Sequence, residues 1–85
     1  MRLRREGLTW RRLGEDIMVL DLESSTYFAV GGTGAFLFET LHDQDLDEPE
    51  LVEAVLGQYD VDVVTVRSDV SRFLSRMRDA GLLQP

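Results

Sequence analysis

Apolar and polar positions change their rhythm near residue 33, from short strand-like runs to a helical period. Leu8-Thr9-Trp10, set among charged neighbours, places Leu8 and Trp10 on one face of a first strand. Gly14-Glu15-Asp16 is a turn signal, and the apolar, β-branched run Ile17–Leu22 predicts a second strand. Glu23-Ser24-Ser25 breaks the chain again before a third strand, Thr26–Val30. Connections this short favour an antiparallel meander, which Gly31-Gly32 closes.

Beyond it the spacing predicts three helices. Thr33 is the expected N-cap of the first, whose Leu37, Phe38 and Leu41 share one face. His42 to Leu46 reads as an acidic linker. Asp47-Glu48-Pro49-Glu50 marks a second start, with a capping residue, a proline in the first turn and a capping-box glutamate. Leu51, Val52, Val55 and Leu56 form its buried stripe, and Gly57 lies where it should fray. A third helix starts at Asp62 or Thr65 and carries Val66, Val70, Phe73, Leu74 and Met77 on one face. Gly81 is its expected C-cap, with Leu82-Leu83 folding back onto the core. The outline is α+β: a three-stranded antiparallel sheet over about residues 6–30 and three helices over about 33–81.

The 85 residues leave room for one domain and one core. Hydrophobic residues at 44% and charged residues at 29% are ordinary for a globular chain and exclude a disordered one. No apolar run approaches the about 20 residues a membrane span needs. The arginine-rich start lacks an apolar segment behind it, so a cytoplasmic location is expected. The absence of cysteine removes disulfides, thiolate metal sites and a cysteine nucleophile at once.

Charge is placed unevenly. Residues 1–13 hold five arginines against Glu6, a balance of +4, and the rest hold four arginines against fifteen acids, −11, which sum to the net −7. Nucleic-acid binders concentrate positive charge, and here only the N-terminal strip could serve. No nucleic-acid or membrane partner is expected.

Catalytic and metal readings find little support. His42 is the lone histidine, next to Asp43, but no serine lies in a strained nucleophile turn. A solvated histidine at a helix end explains it. Asp43, Asp45 and Asp47 alternate as in a calcium loop, without its glycine or its closing glutamate. Gly31-Gly32-Thr33-Gly34 suggests a phosphate loop, yet the chain contains no lysine. A sharp strand-to-helix turn accounts for those glycines. No enzyme activity, cofactor or metal is expected.

Two features remain. The third strand, Thr26-Tyr27-Phe28-Ala29-Val30, carries neither charge nor proline. Exposed edge strands are usually blunted by such residues, so a bare edge would be a docking site; in mid-sheet the same strand would be core. The pattern leaves both open. The third helix flanks its apolar stripe with Asp69, Arg72 and Arg76, so Phe73 and Met77 could be core, groove floor or both.

The order of these segments resembles a known family. Val19-Leu20-Asp21-Leu22 leading through a short turn to Tyr27-Phe28 is similar to its hairpin. Thr33-Gly34-Ala35 with Phe36-Leu37-Phe38 is similar to its first helix. Tyr59-Asp60-Val61-Asp62, Asp69-Val70, Phe73-Leu74, Met77 and Gly81-Leu82-Leu83 resemble its closing helix. The family is the PqqD-like precursor-peptide recognition elements of ribosomally made, post-translationally modified peptides, and the resemblance spans about residues 16–83. Gly31-Gly32 departs from the Leu-Asn that many members carry there. The free-standing length and arginine-rich start resemble the stand-alone members of lasso-peptide pathways.

The resemblance implies a winged-helix-turn-helix-like bundle packed on the sheet, and a leader peptide added as a strand beside strand three, against helix three. It implies that Thr26, Tyr27, Phe28, Ala29 and Val30 pair with the leader. Phe28, Val30, Val70, Phe73 and Met77 would border a pocket, with Asp69 and Arg76 at its rim. The implied partners are the precursor leader peptide, a leader peptidase and a cyclase, with this chain a monomer that carries no chemistry. The competing readings are a winged-helix DNA-binding regulator and an adaptor that holds the peptidase without touching the precursor.

Overall fold

The computed structural model describes residues 1–84, which form β1 (Arg2–Leu3), β2 (Leu8–Leu13), β3 (Asp16–Asp21), β4 (Thr26–Gly31), α1 (Thr33–Asp43), α2 (Glu48–Gln58), α3 (Val63–Asp79) and β5 (Leu83–Gln84). The strands β2, β3 and β4 make the expected antiparallel meander, with β3 in the centre. Register places Trp10 opposite Val19 and Val19 opposite Phe28, then Ile17 opposite Val30. Alternation therefore sends Leu8, Trp10, Ile17, Val19, Phe28 and Val30 to one face, where the helices pack. Ile17 and Val19 are fully buried there. Burying a side chain of that kind stabilises by about 1.5–3 kcal/mol, which pins the register, because a one-residue slip would expose the whole set.

The helical period holds as well. Leu37, Phe38 and Leu41 of α1, Leu51, Val52 and Val55 of α2, and Val66, Val70, Phe73, Leu74 and Met77 of α3 are all buried in one core. The capping box of α2 forms as expected, with the Glu50 amide donating to Asp47 Oδ1 at 2.9 Å and the Asp47 amide to Glu50 Oε1 at 3.0 Å. Asp62 caps α3 by accepting from the Thr65 amide at 3.2 Å. At the other end of α3, the Gly81 amide donates to the Arg78 carbonyl and the Leu82 amide to the Met77 carbonyl. That pair of bonds is a Schellman closure, and it turns Leu82 into the core, where it is fully buried.

Three expectations change. Thr33 is the first residue of α1, not its cap; Gly32 stands at that position, with no side-chain cap. Its carbonyl accepts from the Ala35 and Phe36 amides, so the backbone starts the helix unaided. Gly32 has φ 56° and ψ −127°, a conformation that a side chain would oppose. His42 belongs to the last turn of α1 and is half-buried, not solvated. Its ring packs edge-on to Trp10 with centroids 5.3 Å apart, because Trp10 is long enough to reach across the end of the helix. The strands also begin earlier than residue 6: β1 pairs with β5, Leu3 opposite Leu83, which ties both ends of the described chain together. Segments of two residues show no alternation, so closure of the tertiary fold creates this pair.

Three of the five arginines in the N-terminal strip are held by acceptors within the fold. Arg4 donates to Asp21 at 2.9 Å and also pairs with Glu23. Arg12 meets Glu39 at 3.0 Å, and Arg5 donates to the His42 carbonyl at 3.0 Å. Basic charge spent on internal acceptors is not free to face a phosphate backbone.

Candidate functional site

The strand β4 is an edge, which settles the question its bare sequence raised. In an antiparallel pair, the N–H and C=O of one residue point to the same side. The Ala29 carbonyl accepts from Arg76 Nη2 of α3 at 2.8 Å, on the side away from β3. By the period of two, Tyr27 and Gly31 share that open side, while Thr26, Phe28 and Val30 bond to β3. Three residues of a charge-free strand thus offer main-chain groups outward.

That edge faces α3 across an open cleft of about 380 Å³. Val30 and Phe73 supply the little apolar surface it has, above the fully buried Leu37, and Asp69, Arg72 and Arg76 its charged rim. Thr33 and the side-chain-free Gly31 and Gly34 leave the entrance wide. A Cβ on Gly31 would come 2.5 Å from Asp16 Oδ1, the end of an exposed side chain that would have to swing aside. A larger cleft of about 510 Å³ lies between α2 and α3, but helices line it and no unpaired strand borders it.

The residues expected at the site separate into three groups. Phe28 and Val30 face inward, Phe28 half-buried and Val30 at 2% exposure, while Tyr27 points to solvent at 73% and Thr26 and Ala29 are exposed with it. Asp69, Phe73 and Arg76 line the cleft with Val30. Val70 and Met77, expected at the pocket border, are both at 0% exposure. They lie mid-stripe on α3, facing the core, and hold Phe73 from beneath without offering surface of their own.

Gly31, Thr33, Gly34 and Leu37 line the cleft without having been expected there, and Arg72, read from the sequence as a charged flank of α3, joins them. The glycine-rich turn was the signal: a chain that must bend sharply beside an edge strand leaves space next to it.

Electrostatics within the cleft are unequal. Asp69 accepts from Arg72 at 2.6 Å, which neutralises both. Arg76, one turn further along α3, has no carboxylate partner among the described residues. Its guanidinium carbon lies 5.1 Å from the centre of the Phe28 ring, within cation–π range. No group of three or more acidic or histidine side chains able to hold a metal occurs among the described residues. None of the described helices is long and apolar enough to cross a membrane.

Comparison with known proteins points the same way. The sequence profile of the family described as Coenzyme PQQ synthesis protein D (PqqD) matches residues 16–83. Among solved structures, the chain is similar to TbiB1 in complex with the TbiA(beta) leader peptide. That match has 25% identity and a TM-score of 0.83, over 99% of this chain and 95% of that one. The fold is also shared with lasso peptide synthetase B1 complexed with the leader peptide, at 19% identity and a TM-score of 0.78, over 99% and 96% of the two chains. No curated protein matches.

Proposed function

The chain belongs to the PqqD family, and on that premise we propose that it binds the leader segment of a ribosomally made precursor peptide, as a strand added to β4. The observation that carries this reading is the open edge: Tyr27, Ala29 and Gly31 turn main-chain groups that no other strand pairs toward a cleft walled by α3, and of these the Ala29 carbonyl meets only the Arg76 side chain. Main-chain pairing supplies affinity for any extended peptide, and pockets for alternate side chains supply selectivity. Val30 and Phe73 form the apolar floor, backed by the fully buried Leu37, with Phe28 at its border and Asp69, Arg72 and Arg76 at the rim. Thr26 and Tyr27 extend the strand available for pairing, and Val70 and Met77 act through the packing of Phe73.

The likeness to TbiB1, which was solved with a leader peptide, supports peptide binding, and the fold shared with lasso peptide synthetase B1 agrees with a lasso-type pathway. In this reading the protein performs no chemistry. It works as a monomer in the cytoplasm and delivers the precursor to a separate leader peptidase and cyclase. The competing DNA-binding reading would place α3 in a groove of the duplex. Its cleft-facing side carries Asp69, and the chain has a net charge of −7.

Fluorescence anisotropy separates the two. A labelled leader peptide from the small precursor encoded nearest the gene is titrated with protein, in parallel with a random DNA duplex at physiological salt. Saturable binding to the leader and none to DNA is expected. Salt-sensitive DNA binding without leader binding would overturn the reading.

A further inference from the structure

The acceptor at the middle of the β4 edge is already occupied in the free chain. The Arg76 guanidinium donates to the Ala29 carbonyl at 2.8 Å and lies over Phe28. An added strand runs about 4.8 Å from its neighbour and needs the same carbonyl for its own N–H. The guanidinium fills that path, so a peptide that pairs with Ala29 must move it. In the free chain the cap serves a purpose, because it blunts an edge that otherwise lacks charge and proline.

Once displaced, Arg76 finds no free counterion among the residues that line the cleft. Asp69, the acid on its side of the cleft, is held by Arg72 at 2.6 Å. Water can accept from an exposed guanidinium, but a carboxylate on the arriving strand bonds it more strongly, charge to charge. Strand geometry says where its acceptor must be. The peptide residue opposite Ala29 shares Ala29's outward face, away from the helices. Its two neighbours point to the other face, toward α3 and Arg76.

We infer that Arg76 is a displaceable cap on the β4 edge and, through that exchange, a specificity residue that favours peptides with Asp or Glu next to the residue pairing with Ala29. The inference rests on the strand-addition reading and refines it: the cap makes neutral peptides trade a charge-assisted bond for a plain one, whereas acidic peptides regain it.

A phage-displayed library of randomised linear peptides tests this, selected in parallel on the wild type, Arg76→Met and Arg76→Glu. Arg76 is exposed, so both variants should fold, and far-UV circular dichroism checks that they do. Wild type should enrich an apolar pattern with an acid at one fixed position. Arg76→Met should keep the apolar pattern and lose the acid, and Arg76→Glu should replace it with Lys or Arg. An enriched acidic peptide should bind Arg76→Met roughly tenfold more weakly than wild type, and changing its acid to the amide should cause no further loss in that variant. Apolar peptides enriched without an acid, or the same acid enriched on all three proteins, would overturn the role of Arg76 and leave strand addition standing. No enrichment on the wild type would overturn both.

Discussion

Arg4 and Asp21 meet at 2.9 Å where the N-terminal segment crosses the end of the central strand, with side-chain exposures of 13% and 6%. Glu23 closes on the same guanidinium from the solvent side. The pair fastens the chain just after β1 to the sheet, because the two-residue strands β1 and β5 are too short to hold that end by themselves. Hydrogen bonding to Arg4 keeps the Asp21 carboxyl below its ordinary value of 3.8, against burial, which acts the other way.

That depression sets a pH dependence. A carboxyl that is more acidic when folded contributes stability fully above its unfolded value, and loses it as pH falls through the folded one. Urea midpoints of wild type and Asp21→Asn should therefore differ most at pH values above 3.8 and converge in stronger acid. Parallel curves across that range would contradict the role of the pair.

Ala29→Pro isolates the edge. Proline removes the N–H that faces the open side while leaving the ladder to β3 intact, and edge strands tolerate it. Leader binding should weaken by about tenfold or more, with circular dichroism and melting temperature little changed. Undiminished affinity in a folded variant would move the peptide away from β4.

Asp47→Ala should destabilise the domain by about 1 kcal/mol, since Asp47 accepts from the Glu50 amide and starts α2. In a domain of this size the loss lowers the melting temperature by about 4–8 °C. Leader affinity below the transition should stay at the wild-type value, because α2 does not line the β4 cleft.

Leu51→Ala should cost about 3 kcal/mol, measured by urea unfolding, because Leu51 is fully buried beneath α2. Its effect on leader binding should follow the folded fraction alone. A Phe73→Glu change cannot make this separation, since Phe73 is at 6% exposure and a buried charge would unfold the domain.

Elements with a complete period were legible along the chain. Ile17, Val19 and Val30 declare one face of a sheet, and Val66, Val70, Phe73 and Met77 one face of a helix, because burial repeats at the spacing the backbone imposes. Capping was legible where a side chain performs it, at Asp47 and Asp62, and misleading at Thr33, where the backbone of Gly32 performs it alone. Of the site, the strand and the helix could be named, but not which of their residues still had free surface.

The sequence by itself determined the class of fold and the order of the three meander strands and three helices, since these follow from local periodicity, turn residues and charge; that strand three and helix three border a cleft was implied by the family resemblance alone. Only the tertiary structure decided that β4 is an edge, that Arg4 is buried against Asp21, that Val70 and Met77 belong wholly to the core, and that Arg76 rests on Ala29. Each of these depends on which residues distant along the chain become neighbours. Arg76 and Ala29 stand 47 positions apart, and no local pattern encodes a hydrogen bond that exists only once α3 has packed beside the sheet.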